Sequence, residues 1–227
     1  MSDRPQNYRI KTVDWQYSEA GEISFQDALA PGSCRPWVRL EQHEVSVLPD
    51  PRRPRPYRFE VHVPEDAPPR ECRLALMIES LDSAYTTQFA NGAIELPIAG
   101  RIAVVVYLAI GDVAPELEIG DLVLHAAPRH GVLPAVPVRN VGGAHGRLDA
   151  DLSANQASGE SVELSIATSP VLPGQTRHLR LTPPPGTDLS YPLTITGRIY
   201  SEGKSIVVNQ LIEQDIDADD PELIASQ

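Results

Sequence analysis

At 227 residues, with 41% hydrophobic and 22% charged side chains, the chain has the composition of a folded globular protein and room for one large domain or two small ones. Its 19 Lys and Arg against 31 Asp and Glu leave a net charge of −12, which offers nucleic acid and anionic membrane surfaces no electrostatic footprint. No window approaches the ~18 consecutive apolar residues of a spanning helix, and Met1 to Arg9 is polar, so neither a membrane anchor nor a signal peptide is expected.

From Tyr8 onward one grammar repeats: short apolar or alternating runs rich in Val, Ile, Leu and Thr, bounded by Pro, Gly, Asp or Ser. In chain order it predicts strands at Tyr8–Tyr17, Glu22–Phe25, Val38–Leu48, Tyr57–Val63, Cys72–Glu79 and Ile94–Ile110. It then predicts Leu117–Ala126, Val132–Arg139, Arg147–Leu152, Ser161–Ala167, Arg177–Leu181, Tyr191–Tyr200 and Ser205–Gln214. Tyr57, Phe59, Val61 and Val63 alternate with Arg58, Glu60 and His62, the period of a strand with one buried face. The 22 prolines, roughly double the average usage, remove backbone donors and block helix interiors, and no helix longer than a turn is expected. The class is therefore all-β, as two tandem sandwiches divided near Gly111–Glu116: residues 1–113 and 114–227, the second ending in the acidic tail Glu213–Glu222.

Most chemical motifs fail on spacing. Gly197 and Gly203-Lys204-Ser205 are separated by one residue too many for a phosphate loop and run into the strand-like Ile206-Val207-Val208, so a hairpin turn is expected there. Asp215, Asp217 and Asp219 resemble a calcium loop, but Asp220 replaces its glycine and Ser226 its bidentate glutamate. The six histidines fit no ligand motif, no Gly-x-Ser-x-Gly occurs, and Gly142-Gly143-Ala144-His145-Gly146 reads as a turn, so neither a metal, a cofactor nor catalysis is expected. Cys34 and Cys72 leave two alternatives, one bridge or two buried thiols. Trp15 and Trp37 are expected to plug the first sandwich.

The segment Ile94–Ile110, IELPIAGRIAVVVYLAI, is longer than an ordinary strand. Ile94, Leu96 and Ile98 alternate with Glu95 and Pro97, and proline confines this half to a sheet edge; Val104-Val105-Val106 is apolar on both faces and is expected to be interior. An edge with protruding aliphatics is a template for pairing with another chain. The competing expectation is an ordinary long strand bent at Ala99-Gly100.

The run from Trp37 to Ser80 followed by IAGRIAVVVYLAI resembles the first domain of PapD-like periplasmic pilus-assembly chaperones. Val63-Pro64-Glu65-Asp66-Ala67-Pro68 and Glu71-Cys72-Arg73-Leu74 stand where that family has a VP-x-DAP turn and an EYRxxLxF strand, with Cys72 in place of the aromatic. VPVRNVGGAHGRLDADL and SPVLPGQTRHLRL resemble the family's second immunoglobulin-like domain. The resemblance implies a periplasmic protein that captures an unfolded pilus subunit by lending it an edge strand, without cofactor or ATP, and that works with an outer-membrane usher. Ile94, Leu96 and Ile98 would be the donor residues, and Arg101 would match one member of the basic pair that holds the subunit's terminal carboxylate. The other member belongs to a first strand that, with part of the second and the signal peptide, is expected to be missing, because Asp3–Tyr8 resembles the middle of the domain. The alternative function is a structural or adhesive module of the same fold that captures nothing.

Overall fold

A computed structural model describes residues 5–18, 22–48, 54–82, 85–89, 92–96, 100–127 and 131–213, with backbone alone at 85–89, 92–96 and 127. The chain divides into two compact units, Met1–Asp112 and Val113–Gln227. Among the described residues the one helical feature is a 3-10 turn, Arg35–Trp37, whose Pro36 has the fixed φ that such a turn needs; all other regular structure is strand. The protein is all-β.

The first unit is organised on a five-stranded antiparallel sheet. β1 (Gln6–Tyr17) pairs on one side with β6 (Arg70–Ser80), and on the other with β2 (Ile23–Gln26) and β4 (Glu44–Val47); β9 (Arg101–Ile110) lies beyond β6 at the end of the sheet. Two shorter ladders accompany it, β3 (Val38–Leu40) with β5 (Phe59–Val61) and β7 (Tyr85–Phe89) with β8 (Gly92–Leu96). The expected strand Val38–Leu48 is thus two strands in different sheets. The break falls at Glu41-Gln42-His43, where the His43 carbonyl accepts from the Ile10 amide and so reaches the main sheet.

Strand alternation gives the sheet two apolar faces. On one, Cys72, Leu74 and Leu76 of β6 and Val106, Leu108 and Ile110 of β9 pack under Trp37, Val38, Leu40 and Phe59. A disulfide between Cys34 and Cys72, Cα atoms 6.1 Å apart, ties this lid to its floor. On the other face Trp15, 3% exposed, meets Tyr17 and Tyr107 edge to face, lies under the Arg73 guanidinium, and donates its indole N–H to the Leu74 carbonyl at 3.1 Å. The two tryptophans therefore belong to different cores.

Loop 27–35 is held by a buried carboxylate. Asp14 accepts from the Ala30 amide (2.9 Å), the Ser33 hydroxyl (2.7 Å) and Arg35 Nη1 (3.2 Å). Arg35 in turn donates to the Asp27 carbonyl (2.9 Å) and the Thr12 hydroxyl (3.3 Å), so both charges are compensated where water is excluded.

The second unit is a sandwich. β10 (Leu117–Ile119) and β11 (Val123–Ala127) both pair with β12 (Gly131–Asn140), and β12 pairs with β15 (Thr176–Thr182). β14 (Ser161–Ile166), β13 (Asp149–Gln156), β16 (Leu193–Ser201) and β17 (Lys204–Ile212) follow in that order, joined to β15 through β14. Val136, Val138, Leu179 and Leu181 from one layer meet Leu152, Leu164, Ile195 and Ile199 from the other. Leu117–Ala126, expected as one strand, is split at Gly120-Asp121-Leu122. Glu202 and Gly203, at φ +46° and +76°, form the two-residue turn of the β16–β17 hairpin at the glycine once weighed as a phosphate loop. Gly142 and Gly143 bend around Asn140, which is fully buried; its side chain donates to the Ala144 and Val171 carbonyls (both 2.8 Å) and accepts from the Gly142 amide (2.9 Å).

Candidate functional site: the open edge of the first unit

β9 pairs residue for residue with β6 from Arg70↔Ile110 to Glu79↔Arg101 and has no strand on its other side among the described residues. The Ser80 amide donates to the Gly100 carbonyl at 3.0 Å, which marks residues 80 and 100 as a hydrogen-bonded pair. Antiparallel alternation then turns the even-numbered residues of β9 toward β6. The N–H and C=O groups of Arg101, Ala103, Val105, Tyr107 and Ala109 point to the open side.

The side chains are graded along the strand. Val106, Leu108 and Ile110 lie beneath the β3–β5 lid. Ile102 and Val104, on the same face, lie beyond it and are 64% and 45% exposed. Two uncovered aliphatics therefore adjoin a row of unpaired main-chain groups, with no charge from Ile102 to Ile110. That combination is what strand addition requires. The sequence reading placed Val104-Val105-Val106 in the interior. An apolar run on both faces does suggest burial, but here β9 is terminal and its lid covers one half of it.

Ile94–Ile110 is not one strand. β8 ends at Leu96, residues 97–99, with Ile98 among them, lie outside the described residues, and β9 begins at Arg101. In β8, Ile94 stands opposite Thr87 and Leu96 opposite Tyr85. β7 is its one partner among the described residues; the sequence reading missed β7 because Tyr-Thr-Thr-Gln-Phe lacks an aliphatic run. The offset of the β7–β8 ladder differs by one residue from that of β6–β9, so one continuous register cannot span both.

Two basic residues of this sheet stand by carboxylates. Arg101 lies opposite Glu79. Glu79 also accepts Lys11 of β1 at 3.4 Å, and Lys11 reaches Asp27 at 3.1 Å. Hydrogen bonding to Asp27 leads in raising the Lys11 pKa above its ordinary 10.5; desolvation, next in size, opposes it, and Glu79 adds to the rise. Among the described residues there is no group of three or more His, Cys, Asp or Glu side chains that could hold a metal, and no helix long and apolar enough to cross a membrane.

No protein-family model matches the chain, and no curated protein sequence matches it. Among solved structures, it is similar to the YadV chaperone, with a TM-score of 0.43 at 9% identity over 93% of this chain and 87% of that one. It is also similar to a chain of the CsuC–CsuE chaperone–tip adhesion subunit pre-assembly complex from the archaic chaperone-usher Csu pili of Acinetobacter baumannii. There the TM-score is 0.42 at 12% identity, over 92% of this chain and 86% of that one.

Proposed function

We propose that this protein is a periplasmic, chaperone-like binder of pilus subunits that accepts an extended segment of its client along the outer edge of β9. The observation that carries the proposal is the coincidence on one strand of an unpaired main-chain edge with exposed Ile102 and Val104. The pilus-subunit client rests on the sequence resemblance around Val63–Pro68 and Glu71–Leu74. Main-chain ladder bonds and aliphatic burial supply the free energy, so no cofactor is needed; fully covering one Ile or Val side chain contributes roughly 1.5–3 kcal/mol. Ile94, Leu96 and Ile98 extend the donor edge in this proposal, with Arg101 as the contact for a client carboxylate and an outer-membrane usher as the second partner.

The second reading is a structural or adhesive module of the same fold that leaves this edge unused. Co-expression with a pilin-like subunit separates the two. Capture of the subunit by the parent chain, lost on Val104→Asp and on Leu96→Asp while both variants melt like the parent, supports the first reading. Capture insensitive to both substitutions, or no capture, supports the second.

A further inference from the structure

The second unit ends in another unpaired strand, and its chemistry differs from that of β9. β17 has β16 as its one neighbour among the described residues. Ser201 and Lys204 flank the two-residue turn and form its closing pair, so the even-numbered residues of β17 bond to β16. Ser205, Val207, Asn209 and Leu211 therefore present their N–H and C=O groups outward. From Ser205 to Ile212 the strand carries no charge and no proline, the devices that ordinarily protect an edge. Val207 and Leu211, on the outer face of the sheet, are 66% and 55% exposed.

Charge selects the occupant. Arg198 stands beside Val207 on that outer face, and its Nη1 reaches along the strand to the Ser205 hydroxyl at 3.3 Å. Just past the far end of the same strand the exposed Glu213 follows Ile212, and strand alternation carried one residue further puts it on that face with Leu211. The edge thus carries a cation at one end and an anion at the other, separated by a neutral apolar stretch. An antiparallel copy of the same edge complements this pattern.

We propose that β17 pairs with β17 of a second copy about a two-fold axis at Asn209, normal to the sheet. In that register Val207 faces the partner's Leu211 and Leu211 faces the partner's Val207, as directly opposed aliphatic pairs. Ser205 faces the partner's Glu213, which brings that carboxylate to Arg198, twice by symmetry. Asn209 meets the partner's Asn209 on the axis, where two side-chain amides can bond to each other. Every outward main-chain group from Ser205 to Glu213 gains a ladder partner. The order β14-β13-β16-β17 then continues into the second copy with its inner face still on the inner side. This association is independent of β9 and of any client.

Sedimentation of the full chain from low to high micromolar concentration tests it. The expected result is a reversible dimer that Val207→Lys weakens about tenfold or more, since two aliphatic pairs are lost together. Glu213→Arg weakens it as well, and adding Arg198→Glu restores the dissociation constant to within about threefold of the parent. Val104→Asp, in the first unit, leaves it unchanged. Because Arg198 also stands opposite Asp151, the reversed pair is judged only if its thermal melt matches the parent's; otherwise Val207→Lys and Asn209→Pro, which removes one outward donor, decide alone. A chain that stays monomeric throughout, a dimer indifferent to Val207→Lys, or a correctly folded reversed pair that does not recover would each overturn the proposal.

Discussion

Replacing both Cys34 and Cys72 by alanine should cost the first unit about 4–5 kcal/mol. The bridge closes a separation of 38 residues. The chain-entropy relation assigns to a loop of that length an unfolded-state restriction worth about 3.9 kcal/mol at 25 °C. Cys34 and Cys72 are 0% and 6% exposed beneath Trp37 and Leu108, so the missing sulfurs also leave a small void that adds roughly 1 kcal/mol. Both tryptophans of the chain, Trp15 and Trp37, lie in this unit, so intrinsic fluorescence during urea unfolding follows it selectively. With a slope of about 1.5–2 kcal/mol/M, the fluorescence midpoint should fall by roughly 2–3 M. A midpoint within about 0.5 M of the parent's, at an unchanged slope, would refute the idea that this bridge restrains the unfolded chain. So would two reactive thiols in the denatured, unreduced parent.

Asp14→Ala strips three donors of loop 27–35, the Ala30 amide, the Ser33 hydroxyl and Arg35 Nη1, of their acceptor and leaves Arg35 without its carboxylate. It should destabilise the same fluorescence transition by about 3 kcal/mol. Gln210→Ala removes two hydrogen bonds to the Leu122 backbone, 2.8 and 2.7 Å, and should cost the second unit about 1–3 kcal/mol, with faster hydrogen exchange at the Leu122 amide. The Lys11 pKa is raised by Asp27 and Glu79, so its contribution to stability is complete below the ordinary lysine value of 10.5 and is lost as pH climbs through the higher folded-state value. Thermal melts of the parent and of Lys11→Met should therefore converge as pH rises above 10.5, while a constant difference would contradict that assignment. The tyrosines Tyr57 and Tyr191, whose pKa values burial raises, and Tyr200, raised chiefly by its hydrogen bond to Asp151, lose stability in the same direction in both proteins and cancel in the comparison.

The strands were legible wherever local chemistry alone decides them. Tyr57–Val63 shows why this works: exposed Arg58, Glu60 and His62 separate the partly buried Tyr57, Phe59 and Val61, although the ladder itself is confined to Phe59–Val61. What failed was assignment to sheets. Val38–Leu48 and Ile94–Ile110 each read as one run, because a chain passing from one ladder to another keeps its apolar content while changing partners. Exposure at Ile102 and Val104 was equally hidden, since it depends on where a lid contributed by Trp37, Val38, Leu40 and Phe59 happens to stop. The link between Cys34 and Cys72 needed a distance that spacing along the chain does not contain. Trp15 and Trp37, expected to plug the first sandwich, both lie in that unit, but on opposite faces of its sheet, a division that the sequence does not carry.

Gln210 joins the two layers of the second unit. Its side-chain amide gives one donor and one acceptor to Leu122, the same exchange that a peptide unit of a neighbouring strand would make. Beside it runs a groove of about 410 Å³, lined by Ile119, Leu122, Ile206 and Val208. Among the described residues the sandwich is therefore zipped on this flank by a single tooth rather than by a seam of backbone. Breathing motions that admit solvent to the interior should begin there, well before the hairpins themselves come apart.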